Sequence, residues 1–176
     1  MGELIVVTGP PGAGKSTVAR VLADRFPRSA LITGDSFFAF VSGGWVAPWL
    51  PEAHEQNDVV LRAAASAAGR FASGGYTVVY DGVLGPWFLP LFGRATELPC
   101  LSYVVLLPSE QECLARVAGR SAHGFTDAAA TRAMHRQFAA AEIAERHVLR
   151  DPAGPPSFVA EQILERLADG DLRYGL

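Results

Sequence analysis

Lysine is almost absent from this chain of 176 residues, in which the fifteen basic residues are fourteen arginines and one lysine, Lys15. The two cysteines, Cys100 and Cys113, form no CxxC pair, so we expect neither a zinc site nor a disulfide framework. The net charge of −3 lacks the basic excess of general nucleic-acid binders and argues against a nucleic-acid partner. The sequence has no run of about 18 apolar residues and no basic leader, which predicts a cytoplasmic protein without a membrane span.

Hydrophobic residues make up 49% of the chain and charged residues 19%, which is typical of a folded domain. Residues 1–176 contain neither a repeat nor a long linker, so we expect a single domain. Apolar strand patterns alternate with helical patterns, which predicts an α/β fold with helices on both faces of a parallel sheet. The predicted strands are 4–7, 30–33, 76–80, 101–107 and 147–150, and the predicted helices are 16–26, 57–73, 110–119, 128–146 and 157–169.

The segment from residue 9 to residue 16 reads GPPGAGKS and fits the phosphate-loop pattern GxxxxGK(S/T) without a mismatch. It follows an apolar strand and precedes a helix, so backbone N–H groups and the positive helix end can surround phosphate oxygens. We therefore expect ATP here, with the Lys15 ammonium on the β- and γ-phosphates, the Ser16 hydroxyl on Mg²⁺ and the Thr17 hydroxyl at the α-phosphate. The predicted nucleotide-binding residues are Gly9, Pro10, Pro11, Gly12, Ala13, Gly14, Lys15, Ser16 and Thr17.

Two aspartates follow predicted strands, at the sheet edge where ligands bind in open α/β folds. Asp81 ends the apolar run 77–80, a position from which a carboxylate can orient Mg²⁺ or its water shell. Asp35 follows the second strand, where it can take the proton of an acceptor hydroxyl or orient that hydroxyl. Each residue also has a purely structural alternative, since Asp81 can cap a turn and Asp35 can cap a helix.

With these three motifs, the chain resembles the small P-loop kinases over nearly its whole length. The nearest groups are the gluconate- and shikimate-kinase-like enzymes and the chloramphenicol phosphotransferases. The resemblance implies a three-layer fold, a parallel sheet of five strands in the order 2-3-1-4-5, and a helical lid over the nucleotide at about residues 116–136. In such kinases the aspartate after the second strand is the candidate base, which supports that role for Asp35.

Arginines flank the predicted lid. Arg116 and Arg120 lie four residues apart and precede the loop between two helices, and Arg132 and Arg136 repeat the spacing after it. The resemblance implies that lid arginines stabilise charge on the transferring phosphoryl group, and we expect Arg116 and Arg120 to do so. Surface pairing with acids such as Glu112 is the alternative.

Aromatic residues are concentrated near the two acidic strand ends, within the predicted acceptor-binding region 36–73 and just after the third strand. Together they favour an uncharged, partly apolar acceptor. A sugar acid or shikimate would instead need a cationic clamp, for which Arg62 and Arg94 are the candidates. The aromatic residues are Phe37, Phe38, Phe40, Trp45, Trp49, Trp87 and Phe88.

The sequence therefore favours an ATP-dependent kinase that phosphorylates a hydroxyl of a small molecule, either a metabolite or an antibiotic. One alternative is a nucleoside, nucleotide or polynucleotide 5′-hydroxyl kinase, but Arg62 is the one arginine between residues 36 and 69. A non-catalytic ATP-binding module is the other alternative. A GTPase is not expected, because the sole asparagine, Asn57, lies outside any NKxD-type guanine-reading motif. We expect a monomer or a small homo-oligomer.

Overall fold

The computed structural model describes residues 2–119 and 125–176. Its strands are β1 (Leu4–Thr8), β2 (Ser29–Thr33), β3 (Thr77–Asp81), β4 (Cys100–Leu107), β5 (Val148–Arg150) and β6 (Arg173–Gly175). Its α-helices are α1 (Lys15–Ala23), α2 (Gly34–Phe38), α3 (His54–Ser73), α4 (Leu89–Thr96), α5 (Glu110–Ala118), α6 (Ala128–Ala140) and α7 (Pro156–Ala168). Two single 3₁₀ turns span Pro51–Ala53 and Glu145–His147.

The first five strands pair in parallel in the order β2-β3-β1-β4-β5, which confirms the predicted order. The short β6 adds to this sheet by pairing antiparallel with the start of β4, where Leu101 lies opposite Tyr174. Because the five parallel strands all end at the same edge, the residues that follow β1, β2 and β3 are brought close together. In register, Asp81 lies opposite both Val7 and Thr33.

The sheet separates two hydrophobic cores. Leu4 and Val6 of β1 pack on the side that α3 and α4 cover, whereas Ile5 and Val7 pack on the side that α1 and α7 cover. All five residues of β1 are buried, as expected for a central parallel strand covered on both faces. This burial explains why the strand has a continuous apolar sequence rather than an alternating one.

The largest differences from the sequence-based predictions are in α6, α4 and β6, while α1 and α3 have shifted ends and α2 is not among the predicted helices. The helix predicted over 128–146 ends at Ala140, because the chain turns to an extended conformation at Ala141. The next residues then pack inward: Ile143 contacts the core, and His147 is buried with Nδ1 3.0 Å from the carbonyl oxygen of Tyr103. Tertiary packing here outweighs local helix propensity. Helix α4 and strand β6 were not predicted.

None of the helices in residues 2–119 and 125–176 is both long enough and apolar enough to span a bilayer.

Candidate functional site

The loop between β1 and α1 has the shape that a phosphate-binding loop requires. Gly12 has a φ of 82°, and a Cβ at this position would overlap the carbonyl oxygen of Cys113. Gly9 has a φ of 142°, and a Cβ there would overlap the carbonyl oxygen of Leu106. Only glycine satisfies both conditions, because other residues rarely adopt a positive φ and all of them carry a Cβ. The loop therefore lies directly against β4 and α5.

Lys15, the only lysine of the chain, is the first residue of α1. Its side chain folds back over the loop, and Nζ donates a hydrogen bond of 2.9 Å to the carbonyl oxygen of Pro10. The residue is 9% exposed and lines a cleft at the carboxyl edge of the sheet. An ammonium that is largely shielded from water interacts more strongly with a phosphate than an exposed one does.

The two predicted acids lie on the same cleft as the loop. Asp81 ends β3 and is 4% exposed, while Asp35 lies in the first turn of α2 and is exposed. Both line the cleft together with Lys15 and Ser16. The structure thus brings together the residues that the sequence placed after three different strands.

Tyr80 also lines the cleft, although the sequence pattern predicts only that it belongs to a strand. A Cβ on either Gly34 or Gly82 would overlap the Tyr80 hydroxyl, which lies between the turns that carry Asp35 and Asp81. Burial, followed by the charges of Asp35 and Asp81, raises the pKa of Tyr80 far above its ordinary value. The phenol therefore stays protonated and neutral beside the two carboxylates. Its position depends on strand register and side-chain direction, which no local motif encodes.

The cleft has a volume of about 980 Å³ and lies at the carboxyl edge of the sheet. Of the seven predicted aromatic residues, Phe37 packs against the core and Phe40 is exposed away from the cleft lining, while the other five line it. Phe125 joins them, with its ring centroid 4.8 Å from that of Trp49. The aromatic residues of the cleft lining are Phe38, Trp45, Trp49, Trp87, Phe88 and Phe125.

The predicted arginines have different surroundings. Arg116 reaches the phosphate loop, where Nη1 donates a hydrogen bond of 3.4 Å to the carbonyl oxygen of Gly12, and it also makes the alternative pair, with Nη2 3.7 Å from Oε1 of Glu112. Arg132 and Arg136 both pair with Glu110, at 3.9 Å and 3.4 Å, on the exposed side of α6. Arg120 lies outside the described residues.

The candidate clamp residues Arg62 and Arg94 are absent from the described cleft lining. Arg62 pairs with Asp58 on α3 at 2.9 Å. Arg94 is exposed on α4.

The donor atoms near the loop suit Mg²⁺. The Ser16 hydroxyl and the Asp81 carboxylate line the same cleft, and both supply the oxygen ligands that this hard cation prefers. Within residues 2–119 and 125–176, no three side chains from His, Cys, Asp and Glu gather into a metal-binding group. A magnesium ion held here would therefore complete its coordination with nucleotide oxygens and water, as is usual at phosphate sites.

The shape of the loop leads to a test of nucleotide binding. We expect Gly12→Ala to weaken ATP binding by about tenfold or more, because the new methyl group forces the loop away from Cys113 and from its bound conformation. Gly43→Ala is the matched control, because a Cβ at Gly43 has no atom within 4 Å. Titration calorimetry with a non-hydrolysable ATP analogue measures both variants. Equal affinities in the two variants would contradict the assigned role of the loop.

Comparisons with known proteins agree with the fold. A family model described as an AAA domain matches residues 5–134. The chain is similar to a sugar kinase from Janibacter sp. HTCC2649, with a TM-score of 0.73 and 22% identity, over 96% of this chain and 95% of that one. It is also similar to a gluconokinase from Sinorhizobium meliloti 1021, with a TM-score of 0.66 and 20% identity, over 97% and 93% of the two chains.

The tunicamycin resistance protein of Deinococcus radiodurans matches with a TM-score of 0.66 and 18% identity, over 95% of this chain and 96% of that one. At such identities the likeness shows a common fold, which confirms the predicted resemblance to P-loop kinases. An adenylate kinase of Thermobifida fusca is 52% identical over 40 residues, which are 23% of this chain and 21% of that protein. The residues of this chain that match thus cover about a fifth of the length of these curated relatives.

Proposed function

This chain belongs to the AAA domain family, and we propose that it is an ATP-dependent phosphotransferase, which moves the γ-phosphoryl group of ATP to a hydroxyl of a small molecule. The observation that carries the proposal is the convergence of Lys15, Ser16, Asp35 and Asp81 on one cleft. A phosphate loop alone would fit many nucleotide-binding proteins. The Asp35 carboxylate faces the same cleft from the end of β2, which β3 separates from β1, and adds a group that can act on a second substrate.

In this scheme the loop backbone binds the phosphates of ATP, and the Lys15 ammonium neutralises charge on the β- and γ-phosphates. Ser16 and Asp81 would hold Mg²⁺, which would supply positive charge that offsets the negative charge of the phosphates. Arg116 lies beside the loop at Gly12, close enough to add positive charge on the same side. Segment 116–136, with Arg120, is proposed as the lid that excludes water.

Asp35 acts on the acceptor. Its carboxylate orients the hydroxyl for in-line attack and takes its proton as the oxygen bonds to the γ-phosphorus. The bond from the γ-phosphorus to the bridging oxygen breaks, and ADP leaves with that oxygen. Tyr80, which stays neutral, lies between the turns that carry Asp35 and Asp81.

The acceptor is proposed to bind in the aromatic part of the cleft, within region 36–73. A small-molecule acceptor is consistent with the names of the similar structures, which include a sugar kinase and a gluconokinase. It also fits the cleft volume of about 980 Å³, which suits a compact molecule.

The proposal is tested by coupled ADP release with Mg-ATP over a panel of hydroxyl compounds: gluconate, shikimate, nucleosides, amino sugars and aryl amide diols. We expect at least one small-molecule class to raise ADP release above the acceptor-free rate. Stimulation by nucleosides alone would replace the proposal with a nucleoside kinase. Tight ATP binding without stimulation by any compound would favour a non-catalytic ATP-binding module.

A further inference from the structure

The acceptor part of the cleft is poor in positive charge. Among the described residues that line the cleft, Lys15 is the one lysine or arginine, and the proposed function assigns it to the phosphates of ATP. The other basic group is His54, whose ring stacks on Phe88 with centroids 5.5 Å apart. Asp35 supplies a carboxylate to the same surface, whereas the proposed function assigns the Asp81 carboxylate to Mg²⁺. An anionic acceptor would lose its hydration shell there and face a like charge, which is costly.

Asn57 supplies the polar recognition group of this region. It lies in the first turn of α3, lines the cleft and is 9% exposed. Its Nδ2 donates a hydrogen bond of 2.7 Å to the carbonyl oxygen of Pro48, which fixes the orientation of the amide because a carbonyl oxygen can only accept. Its Oδ1 is buried and has no hydrogen-bond partner among the described residues. A buried oxygen left unpaired is unfavourable, so a donor entering from the cleft would be favoured.

The neighbouring residue Gln56 fixes the aromatic wall of the cleft. Its side chain donates to the carbonyl oxygen of Val46 at 2.7 Å and accepts from the backbone N–H of Val46 at 2.8 Å. The segment held in this way carries Trp45 and Trp49, whose ring centroids are 6.5 Å apart. Trp45 is 51% exposed and Trp49 is 38% exposed, so a bound apolar group would remove aromatic surface from water.

From these features we infer that the acceptor is an uncharged alcohol that carries an apolar ring or chain against Trp45 and Trp49 and an N–H or O–H group that donates to Asn57 Oδ1. The inference rests on the proposed function and adds the acceptor class to it. Asn57 is then a specificity residue, because its Oδ1 stabilises an acceptor that carries a hydrogen-bond donor at one position. The described acceptor part of the cleft, to which no lysine or arginine other than Lys15 contributes, disfavours acceptors that carry a carboxylate or a phosphate.

Tryptophan fluorescence gives a binding test that does not depend on turnover, because all three tryptophans of the chain line the cleft. The probes are D-gluconate, N-benzylgluconamide and N-benzyl-N-methylgluconamide, each titrated with a non-hydrolysable ATP analogue and Mg²⁺ present. Gluconate and N-benzylgluconamide differ in charge and in an apolar ring, whereas the two amides differ in a single N–H donor. We expect N-benzylgluconamide to bind at least tenfold more tightly than gluconate, and its N-methyl analogue to bind about tenfold more weakly.

Asn57→Leu is expected to remove the tenfold preference for the N–H probe over its N-methyl analogue. Glu55→Leu is the matched control, because it makes the same apolar substitution at an exposed side chain of α3 that is absent from the described cleft lining. It should retain the preference even if both affinities fall together. Unchanged affinity for the ATP analogue in both variants shows that the fold is intact.

Tighter binding of gluconate than of both amides, or no binding of either amide, would overturn the inference. Preservation of the N–H preference in Asn57→Leu would also overturn it, since Oδ1 would then be satisfied by something other than the acceptor. Amide binding with the expected preference but without ADP release would instead uphold the acceptor class and contradict the proposed phosphotransfer. The two failures are therefore distinguishable.

Discussion

Lys15→Ala is expected to lower the rate of phosphoryl transfer by about 10²–10³-fold, the largest loss that any single substitution at the loop should cause. The Lys15 ammonium is 9% exposed and is held over the loop by its hydrogen bond to Pro10. Removing it leaves developing charge on the phosphates without its nearest fixed cation, in a cleft where water screens poorly. The measurement is kcat with saturating ATP and a stimulating acceptor.

Two further variants are compared with Lys15→Ala: one keeps a positive charge at residue 15, and the other is a control outside the cleft. Lys15→Arg should recover little activity, because a planar guanidinium does not fit a loop shaped around a compact ammonium. Arg70→Ala removes an exposed cation that pairs with Glu97 at 3.7 Å, outside the described cleft lining, and should retain the parent rate. Wild-type turnover in Lys15→Ala would exclude the catalytic scheme.

Asp35→Asn is expected to lower kcat by about 10²–10⁴-fold while the affinity for ATP changes little. The amide has nearly the shape of the carboxylate, and Asp35 is exposed in the first turn of α2, so the substitution should leave the fold intact. It removes the group that accepts the acceptor's proton. Stopped-flow measurement of the transfer step, together with calorimetry of ATP analogue binding, separates chemistry from binding.

Asp58→Asn is the matched control for Asp35→Asn. Asp58 is a carboxylate on α3 that pairs with Arg62 and is absent from the described cleft lining, so its substitution should leave kcat unchanged. If Asp35→Asn transfers phosphate at the wild-type rate, Asp35 is only an acidic residue in the first turn of α2 and the base must be sought elsewhere. If both variants lose activity equally, the effect comes from overall charge.

The resemblance to P-loop kinases implied the sheet order, and the sequence pattern placed Asp35 and Asp81 after strand ends. The structure has both on one cleft, because the phosphate loop fixes its own local geometry and parallel strands carry the two aspartates to one edge. Helix α6 ends earlier than predicted because the packing of Ile143 and His147 decides its length, and that packing depends on distant residues.

Tyr80 and Asn57 could not be identified as site residues from local patterns. Tyr80 reaches the site only because β3 pairs in register with β1 and β2, which places its hydroxyl beside Gly34 and Gly82. Asn57 gains its orientation from the carbonyl oxygen of Pro48, nine residues earlier in a segment without regular structure. The sequence pattern predicts neither contact, because both depend on how the chain folds back on itself.

The proposed reaction moves the γ-phosphoryl group of ATP to an acceptor hydroxyl in this cleft. The most direct test uses ATP labelled with ¹⁸O in the γ-phosphoryl group, a stimulating acceptor from the panel, and mass spectrometry of the products. We expect an acceptor heavier by one labelled phosphoryl group and an equal amount of ADP, with both products lost in Asp35→Asn. Label found only in inorganic phosphate, or release of AMP, would contradict it.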